Sequence, residues 1–231
     1  MSPQYYTLPC YSGYPHVTKD QAQNLKDKFF QRLTYALKDN TKVLFNGELV
    51  DPFWLIADRL GRRCPELTNE AVLVPVPRSS VTPADVESVH WPARKIAHAL
   101  TRAGLCDRMV IALRRASPVP KASQAKSSSD RPTVLKHMET LAVDLSRVKD
   151  ARRIILVDDV TTRGTQMMGA MRALQLAGFT GEIRGFAAGH TDYGARTVAF
   201  RSIIKWNGVD DYPSQAREAP AQAVLPVRPT A

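Results

Sequence analysis

The stretch IILVDDVTTRGTQ, Ile154 to Gln166, decides which fold this sequence predicts. Four apolar residues run directly into two adjacent carboxylates, Asp158 and Asp159, and a loop of threonines, an arginine and Gly164 follows. A short apolar run of this kind predicts a buried strand at 153–157. The residues behind the loop recur at helical spacing, so a helix is expected there. Its apolar stripe is Met168, Met171, Leu174 and Ala177, and Gly178 closes it.

The polar loop between that strand and that helix has the chemistry of a phosphate site. Backbone N–H groups at a helix N-terminus attract anions, and the helix dipole strengthens the attraction. Gly164 lets the backbone approach a phosphate closely, and Arg163 adds a cationic donor. The carboxylates of Asp158 and Asp159 instead suit sugar hydroxyls or a hard divalent cation. Together they predict a ligand with a phosphate beside a diol, as in ribose 5-phosphate; the alternative is a polar turn with a helix cap.

Outward from this stretch, short apolar segments alternate with helical ones. Between the first two predicted strands, Pro92 opens a helix and Gly104 closes it. The alternation predicts an α/β fold with a central, mostly parallel twisted sheet flanked by helices. Ligands of such sheets bind beyond the carboxyl ends of the strands, which is where the quoted loop lies. The predicted strands fall in 71–80, 109–113, 153–157, 182–189 and 196–204.

The sequence divides into three parts. Residues 1–70 are expected to form an N-terminal helical or hood segment, and residues 71–212 the core. Residues 213–231 are rich in Pro and Ala and are expected to be a disordered tail. The first part is predicted to contain irregular chain at 1–17, a helix at 19–38 with a capping box of Thr18 and Gln21, and a second helix from Asp51-Pro52 to near Gly61.

A long polar segment, 114–133, interrupts the alternation. It is basic and full of Ser and Pro, so it cannot bury an apolar face and is expected to be a loop. Loops of this length inside a compact domain are usually functional or disordered. The histidine that follows it, His137, is expected on a helix surface. The basic residues of the segment are Arg114, Arg115, Lys121, Lys126 and Arg131.

The composition of the chain indicates which kinds of ligand it binds and in which cellular compartment it is found. The formal net charge is +10, with 32 Lys and Arg against 22 Asp and Glu, which favours nucleotides, phosphorylated metabolites or nucleic acid. The three cysteines are far apart and form no CxxC pair, so a zinc ribbon or redox dithiol is not expected and a reducing compartment is. No signal peptide and no apolar run of the ~20 residues that span a bilayer are apparent. A cytoplasmic location without a membrane partner is therefore predicted.

The segment ILVDDVTTRGTQ closely resembles the phosphoribosyl diphosphate (PRPP) signature of type I phosphoribosyltransferases. In that family the acidic pair contacts the ribose 2- and 3-hydroxyls, and the loop cradles the 5-phosphate. The resemblance gives the first role to Asp158 and Asp159. Thr162 stands where enzymes for 6-oxopurines carry an Asp, which argues against hypoxanthine or guanine as acceptor. The second role falls to Thr161, Thr162, Arg163 (where a Thr is commoner), Gly164, Thr165 and Gln166.

Among these enzymes the sequence is most similar to the ComF branch, in which a VPVP strand, a basic helix and a Gln- and Arg-bearing loop precede the signature. VLVPVPRSS, Arg94-Lys95 and KASQAKSSSDRPTVLKHMETLAV follow that order, and YALKDN resembles the branch's upstream segment. The resemblance covers roughly residues 30–190 and is strongest at 72–78 and 154–166. The branch's cysteine zinc module has no counterpart in the sequence.

The resemblance also implies a reaction. A nitrogen nucleophile would displace pyrophosphate from ribose C1, with Mg²⁺ bound through the diphosphate near Asp158 and Asp159 rather than by the protein directly. Arg78, Ser79 and Ser80 occupy the place of the pyrophosphate loop, and Arg78 joins the two aspartates as a catalytic candidate. Lys121, Lys126 and Arg131 would belong to a mobile loop that closes over the diphosphate.

Three functions remain open at this point. The first is an active phosphoribosyltransferase with an unidentified nitrogenous acceptor. The second is a non-catalytic PRPP- or nucleotide-binding module that regulates, or forms part of, a nucleic-acid machine in DNA uptake or retron-type antiphage defence. The third is a phosphate-binding α/β hydrolase acting on a nucleotide. Dimers are common in the fold, so a homodimer is an expectation.

Overall fold

The structure is a computed structural model, and it describes residues 5–17, 22, 24–79, 90–120, 127, 130–191 and 200–217. The helices are α1 (Leu25–Asp39), α2 (Pro52–Arg59), α3 (Pro92–Arg102), α4 (Val134–Glu139) and α5 (Thr165–Leu176). The strands are β1 (Tyr6–Pro15), β2 (Val43–Phe45), β3 (Glu48–Val50), β4 (Ala71–Pro75), β5 (Arg108–Met109), β6 (Leu113–Arg115), β7 (Leu141–Val143), β8 (Arg153–Thr161), β9 (Glu182–His190), β10 (Phe200–Trp206) and β11 (Ser214–Arg217).

A seven-stranded sheet forms the centre of the molecule. Its order is β11-β10-β1-β9-β8-β4-β5. The pairs from β1 to β5 are all parallel, whereas β10 and β11 add antiparallel strands at one edge. The predicted α/β class with a mostly parallel sheet flanked by helices is confirmed.

Strand β8 shows why a parallel sheet forms here. Successive side chains of a strand point to opposite faces. Ile155 and Val157 belong to the apolar cluster that includes residues of α1, α2 and α3. Ile154 and Leu156 belong to the cluster built with α5. Because both faces of β8 are covered, its apolar residues are continuous rather than alternating, as is typical of parallel sheets.

Caps fix the ends of the first two helices. Asn24 is the N-cap of α1, and its side chain accepts a hydrogen bond from the Asp27 backbone N–H at 2.9 Å. The predicted start at residue 19 is therefore wrong, and Thr18 and Gln21 lie outside the described residues. The Asp51 cap of α2 is confirmed, because its carboxylate accepts from the Phe53 backbone N–H at 2.7 Å.

The N-terminal prediction of irregular chain is wrong. Residues 6–15 form β1, which lies between β9 and β10 inside the sheet. Its side chains are buried on both faces: Leu8 and Cys10 lie on one side, and Tyr11 and Tyr14 on the other. This segment contains prolines, a glycine and polar residues, so its sequence does not resemble a strand. Tertiary packing imposes the strand conformation here. The segment 1–70 thus contributes a central strand as well as helices.

Three other boundaries differ from the prediction. The segment 109–113 is not one strand: β5 ends at Met109, and β6 starts at Leu113 in a separate two-stranded sheet with β7. The loop expected from residue 114 therefore begins later. The last core strand, predicted at 196–204, continues to Trp206, and residues 196–199 lie outside the described residues. Strand β11 lies within the tail that was expected to be disordered, and residues 218–231 lie outside the described residues.

Two further sequence predictions can be compared with the structure. Cys10, Cys64 and Cys106 are all buried and unpaired. No helix in the described part of the chain is both long enough and apolar enough to cross a membrane.

The position of β1 makes a prediction about stability. Leu8 is fully buried, so Leu8→Ala should lower the free energy of unfolding by about 2–5 kcal/mol through lost burial and a residual cavity. Leu49→Ala is the matched control, because Leu49 is 65% exposed and should change it by less than about 0.5 kcal/mol. Urea unfolding measures both. Equal effects of the two substitutions would contradict a central β1.

Candidate functional site

A cleft opens at the carboxyl edge of the sheet, where β8 ends and α5 begins. Its volume is about 130 Å³, which corresponds to about four waters of the liquid. Parallel sheets usually bind ligands at this edge. The lining residues come from the loop after β4, the segment entering α4, the β8–α5 junction and the chain after β10: Ser79, Arg131, Pro132, His137, Asp158, Val160, Thr161, Thr162, Arg163, Gly164, Thr165, Gln166, Met167 and Tyr212.

The N-terminus of α5 forms one wall of the cleft. Its N-cap is Gly164, which has a φ of 74° and no side chain to cap the helix. The first backbone N–H groups of α5 therefore meet the cleft without a side-chain cap. A Cβ on Gly164 would lie 2.4 Å from the Cδ1 atom of Ile204 on β10. Both the left-handed conformation and the close packing require glycine here.

Two threonines at the end of β8 differ in their hydrogen bonds. Thr161 is 3% exposed, and its Oγ1 atom is buried with no hydrogen-bond partner in the described chain. Thr162 Oγ1 lies 3.3 Å from Thr191 Oγ1. Buried polar atoms in folded proteins nearly always have partners, and an exception calls for an explanation. The Thr161 hydroxyl is such an exception in the wall of the cleft, and a side-chain rotation is needed for a ligand there to supply its missing partner.

A guanidinium group is held beside the helix N-terminus by an aromatic ring. Arg163 stacks over the ring of Tyr212 at 4.8 Å from its centroid. The Tyr212 hydroxyl donates to the backbone oxygen of Arg131 at 3.0 Å. All three residues line the cleft. Of the predicted mobile-loop residues, Lys121 and Lys126 lie outside the described residues.

Of the two aspartates, Asp158 lines the described cleft and Asp159 is not among its lining residues. They were expected to follow a strand, but β8 continues to Thr161, so Asp158 and Asp159 lie within it and alternate. Asp158 lines the cleft on the α5 side. Asp159 acts electrostatically on Tyr14 and His16, and its side chain also contacts that of Asp158. The structure therefore brings one carboxylate of the predicted pair into the described cleft.

The environment of Asp158 disfavours its charged form. Burial, and then the negative charge of Asp159, raise the pKa of Asp158 well above its usual value. The positive charge of Arg115 opposes this rise. A hydroxyl that donates to Asp158, or a cation near it, would stabilise the carboxylate.

The predicted pyrophosphate loop is placed only in part near the cleft. Arg78 donates to the backbone oxygen of His90, and it is not among the cleft-lining residues. Ser79 lines the cleft and its hydroxyl donates to Gln166 Oε1 at 3.4 Å. Gln166 Nε2 in turn donates to the Pro77 backbone oxygen at 2.8 Å. The Gln166 side chain thus joins α5 to the loop after β4, while Ser80 lies outside the described residues.

The sequence prediction missed a buried cation beside the cleft. Arg115 is 1% exposed, where a loop residue was expected, and its Nη2 donates to His137 Nδ1 at 2.9 Å. His137, expected on a helix surface, is 4% exposed and lines the cleft. Burial, and then the charge of Arg115, lower the pKa of His137 to about 3. The pairing of β6 with β7 brings Arg115 to α4, and no local pattern reveals such a pairing.

No family model and no curated protein matches the chain. Cationic and N–H donors lie at the end of α5, and a carboxylate lies on the neighbouring strand. This combination suits a ligand with an anionic group close to hydroxyl donors.

Gly164 provides a test of the site's construction. Gly164→Ala should lose about 1–2 kcal/mol of folding free energy from the left-handed backbone and a further ~1–3 kcal/mol from the clash with Ile204. Gly104→Ala is the matched control, since Gly104 has a φ of 69° but open space around a Cβ. It should show only the first loss. Denaturant unfolding of both variants measures the difference, and equal losses would contradict the packing described. In a double-mutant cycle of Gly164→Ala with Ile204→Ala, the clash should appear as a coupling, with Gly164→Ala costing less when residue 204 is Ala.

The raised pKa of Asp158 predicts a pH-dependent stability. Because ionisation is disfavoured in the folded state, Asp158 lowers stability progressively as pH rises from about 4. Asp158→Asn should therefore raise the melting temperature of the ligand-free protein at pH 7 and lose that advantage near pH 3.5. Thermal unfolding at both pH values measures this, with Glu70→Gln, at an exposed position in the turn before β4, as the control. A destabilised Asp158→Asn at pH 7 would contradict the assignment.

Proposed function

We propose that the chain has the type I phosphoribosyltransferase fold, binds PRPP in this cleft and transfers its phosphoribosyl group to a nitrogenous acceptor, releasing pyrophosphate. One observation carries the proposal. The end of α5 that no side chain caps, and the partnerless Thr161 hydroxyl, lie next to Asp158 in one cleft. The other lines of support are the signature in the sequence and the mostly parallel sheet.

The 5-phosphate of the ligand would bind at the α5 N-terminus. Backbone N–H groups of the first helical turn face the anion, and the Gly164 backbone permits close approach. Thr161 and Thr165 add hydroxyl donors, and Arg163 adds a cation that Tyr212 holds in place. Charge-assisted hydrogen bonds of this kind are the strong ones in proteins.

The ribose would lie toward Asp158. A ribose hydroxyl donating to its carboxylate would replace the water that burial has removed. The cleft volume of about 130 Å³ suits a phosphate group and part of a ribose rather than all of PRPP. Mg²⁺ bound to the diphosphate would neutralise charge on the leaving group, and Asp158 has the hard oxygen ligands that such an ion prefers.

The reaction follows from how such a ligand would be held. The acceptor nitrogen forms a bond to ribose C1 while the bond from C1 to the pyrophosphate oxygen breaks, and the bonding electrons leave with pyrophosphate. Positive charge develops on the ribose in the transition state. The chain's main contribution is to fix the phosphate end and to place the negative charge of Asp158 near that ribose.

A second function is favoured by a specific observation. Arg78, the candidate for stabilising the departing pyrophosphate, is engaged with the His90 backbone oxygen and is not among the cleft-lining residues. This arrangement supports a module that binds PRPP or a nucleotide without turnover and acts as a regulator or as a subunit of a nucleic-acid machine. The net charge of +10 suits a nucleic-acid partner. A cytoplasmic location and a homodimer are parts of either proposal.

Calorimetry with PRPP and Mg²⁺ tests binding. Wild-type protein should bind PRPP, and ribose 5-phosphate should compete for the same site. Thr161→Val, which removes the partnerless hydroxyl, should weaken binding about 2- to 10-fold, and Asp158→Asn about 10- to 100-fold. Thr101→Val is the control, because the Thr101 hydroxyl already donates to the Ala97 backbone oxygen within α3. Unchanged affinity in both cleft variants would contradict the proposed site.

Pyrophosphate release separates the two functions. The assay supplies PRPP, Mg²⁺ and a panel of acceptors: nucleobases, nicotinate, orotate and cell extract. Release that depends on an acceptor supports the transferase. Wild-type protein that binds PRPP yet releases no pyrophosphate with any acceptor supports the binding module.

A further inference from the structure

We propose that His137 is a ligand-binding residue of the cleft that donates a hydrogen bond from Nε2 to the phosphate, and that Arg115 positions it by holding the ring in that tautomer. The inference rests on the proposed function, since it concerns the phosphate end of that ligand. It adds a neutral donor, and a buried cation behind it, to the groups that the signature supplies.

The contact between the two side chains fixes where the imidazole hydrogen lies. A guanidinium group has N–H donors and no acceptor. Arg115 Nη2 lies 2.9 Å from His137 Nδ1, so Nδ1 must accept this hydrogen bond. The ring hydrogen is therefore on Nε2, and the imidazole is neutral. The pKa of His137, lowered by burial and by Arg115, agrees with this state.

The free side of the ring meets the cleft. His137 lines the cleft, and no group of the described chain accepts a hydrogen bond from its Nε2 atom. Nε2 is also absent from the buried polar atoms of the described chain that lack a partner, so it is not sealed in the protein. An acceptor oxygen of a ligand can reach it. Thr161, whose buried hydroxyl has no partner in the described chain, lines the same cleft.

Arg115 is anchored and cannot itself swing toward a ligand. Besides His137 Nδ1, its guanidinium donates to the His137 backbone oxygen at 3.1 Å and to Thr140 Oγ1 at 2.7 Å. Its Nε donates to the Arg78 backbone oxygen at 3.4 Å. These four bonds use its donors to hold α4 and the loop after β4 together. Its part in binding is therefore exerted through the ring of His137 and through its charge.

That charge has no close counter-ion among the described residues. No carboxylate there lies within 4.0 Å of the Arg115 guanidinium, although Asp158 acts on it from a greater distance. Burial lowers the pKa of Arg115 to about 10, so it stays charged at neutral pH. A buried cation without a close partner is unfavourable. An anion in the cleft, on the far side of His137, would compensate it.

The fold keeps the histidine against the cleft by close helix packing. A Cβ on Gly169 of α5 would lie 2.7 Å from His137 Cβ and 3.1 Å from the Val134 backbone oxygen. Because residue 169 has no side chain, α4 can lie directly against α5, whose N-terminus forms the cleft wall. The histidine ring and the helix N–H groups therefore meet at the same cleft, where one ligand can contact both.

Two measurements test the inference. The first is ¹⁵N NMR of the histidine rings between pH 5 and 8: His137 should remain neutral with hydrogen on Nε2, and this signal should move when inorganic phosphate or ribose 5-phosphate is added. Arg115→Met should abolish the single tautomer. A cationic His137, or hydrogen on Nδ1 in the wild type, would overturn the proposal.

The second measurement is calorimetric affinity for inorganic phosphate and for ribose 5-phosphate. His137→Phe, which keeps a ring and removes the donor, should weaken binding of both about 10- to 100-fold. His137→Gln keeps an N–H donor near the Nε2 position and should restore part of the affinity. His98→Phe, at an exposed position of α3, is the control and should bind like the wild type. Unfolding midpoints identify variants that have lost their structure.

The outcomes separate this inference from the proposed function. If His137→Phe is folded and binds ribose 5-phosphate as tightly as the wild type, the inference fails while the proposed function stands. If the wild type binds inorganic phosphate but neither ribose 5-phosphate nor PRPP, the proposed function fails, and weaker phosphate binding by His137→Phe would still support the inference.

Discussion

The junction of β8 with α5 is the constraint on which the rest of the site depends. The chain must leave a strand buried on both faces and enter a helix at once, and it turns at Gly164 in the left-handed conformation against Ile204 of β10. This contact fixes the height of the α5 N-terminus above the sheet. The cleft wall that α5 forms, with its backbone N–H donors, follows from that height.

Two buried groups of opposite charge, Arg115 and Asp158, lie at different sides of the cleft, so a ligand bound there would lie between them. Arg115 stays a cation behind His137 although burial lowers its pKa to about 10, and burial makes the charge of Asp158 unfavourable on the neighbouring strand. They are not within ion-pair distance, so neither fully compensates the other. A ligand with an anionic end and a hydroxyl-bearing end would satisfy both. These two uncompensated charges support a sugar phosphate as the ligand, and this support is independent of the sequence signature.

The sequence predicted the elements whose cause is local. Continuous apolar runs predicted β8 and β9, and the Asp51-Pro52 cap predicted α2. Both signals come from residues that are neighbours in the sequence. The sequence-based predictions were wrong where the structure depends on pairing between segments that are distant in the chain. The conformation of β1 is imposed by β9 and β10, and the burial of Arg115 depends on the pairing of β6 with β7.

The same distinction applies to the site. The phosphate loop was predicted because a strand, a glycine and a helix N-terminus follow one another in sequence. The absence of Asp159 from the described cleft lining was not, because it depends on how far β8 extends: four more residues in strand conformation than predicted, 158–161, place both carboxylates within the strand rather than after it. The role of His137 was hidden for the same reason, since its partner is 22 residues away in the chain.

The most direct test of the central claim is a crystal structure of the chain grown with PRPP and Mg²⁺. The account predicts the 5-phosphate at the α5 N-terminus, with its oxygens about 2.7–3.2 Å from the first backbone N–H groups of the helix and from His137 Nε2, and a ribose hydroxyl on Asp158. A phosphate bound elsewhere on the protein, with this cleft holding only solvent, would contradict it.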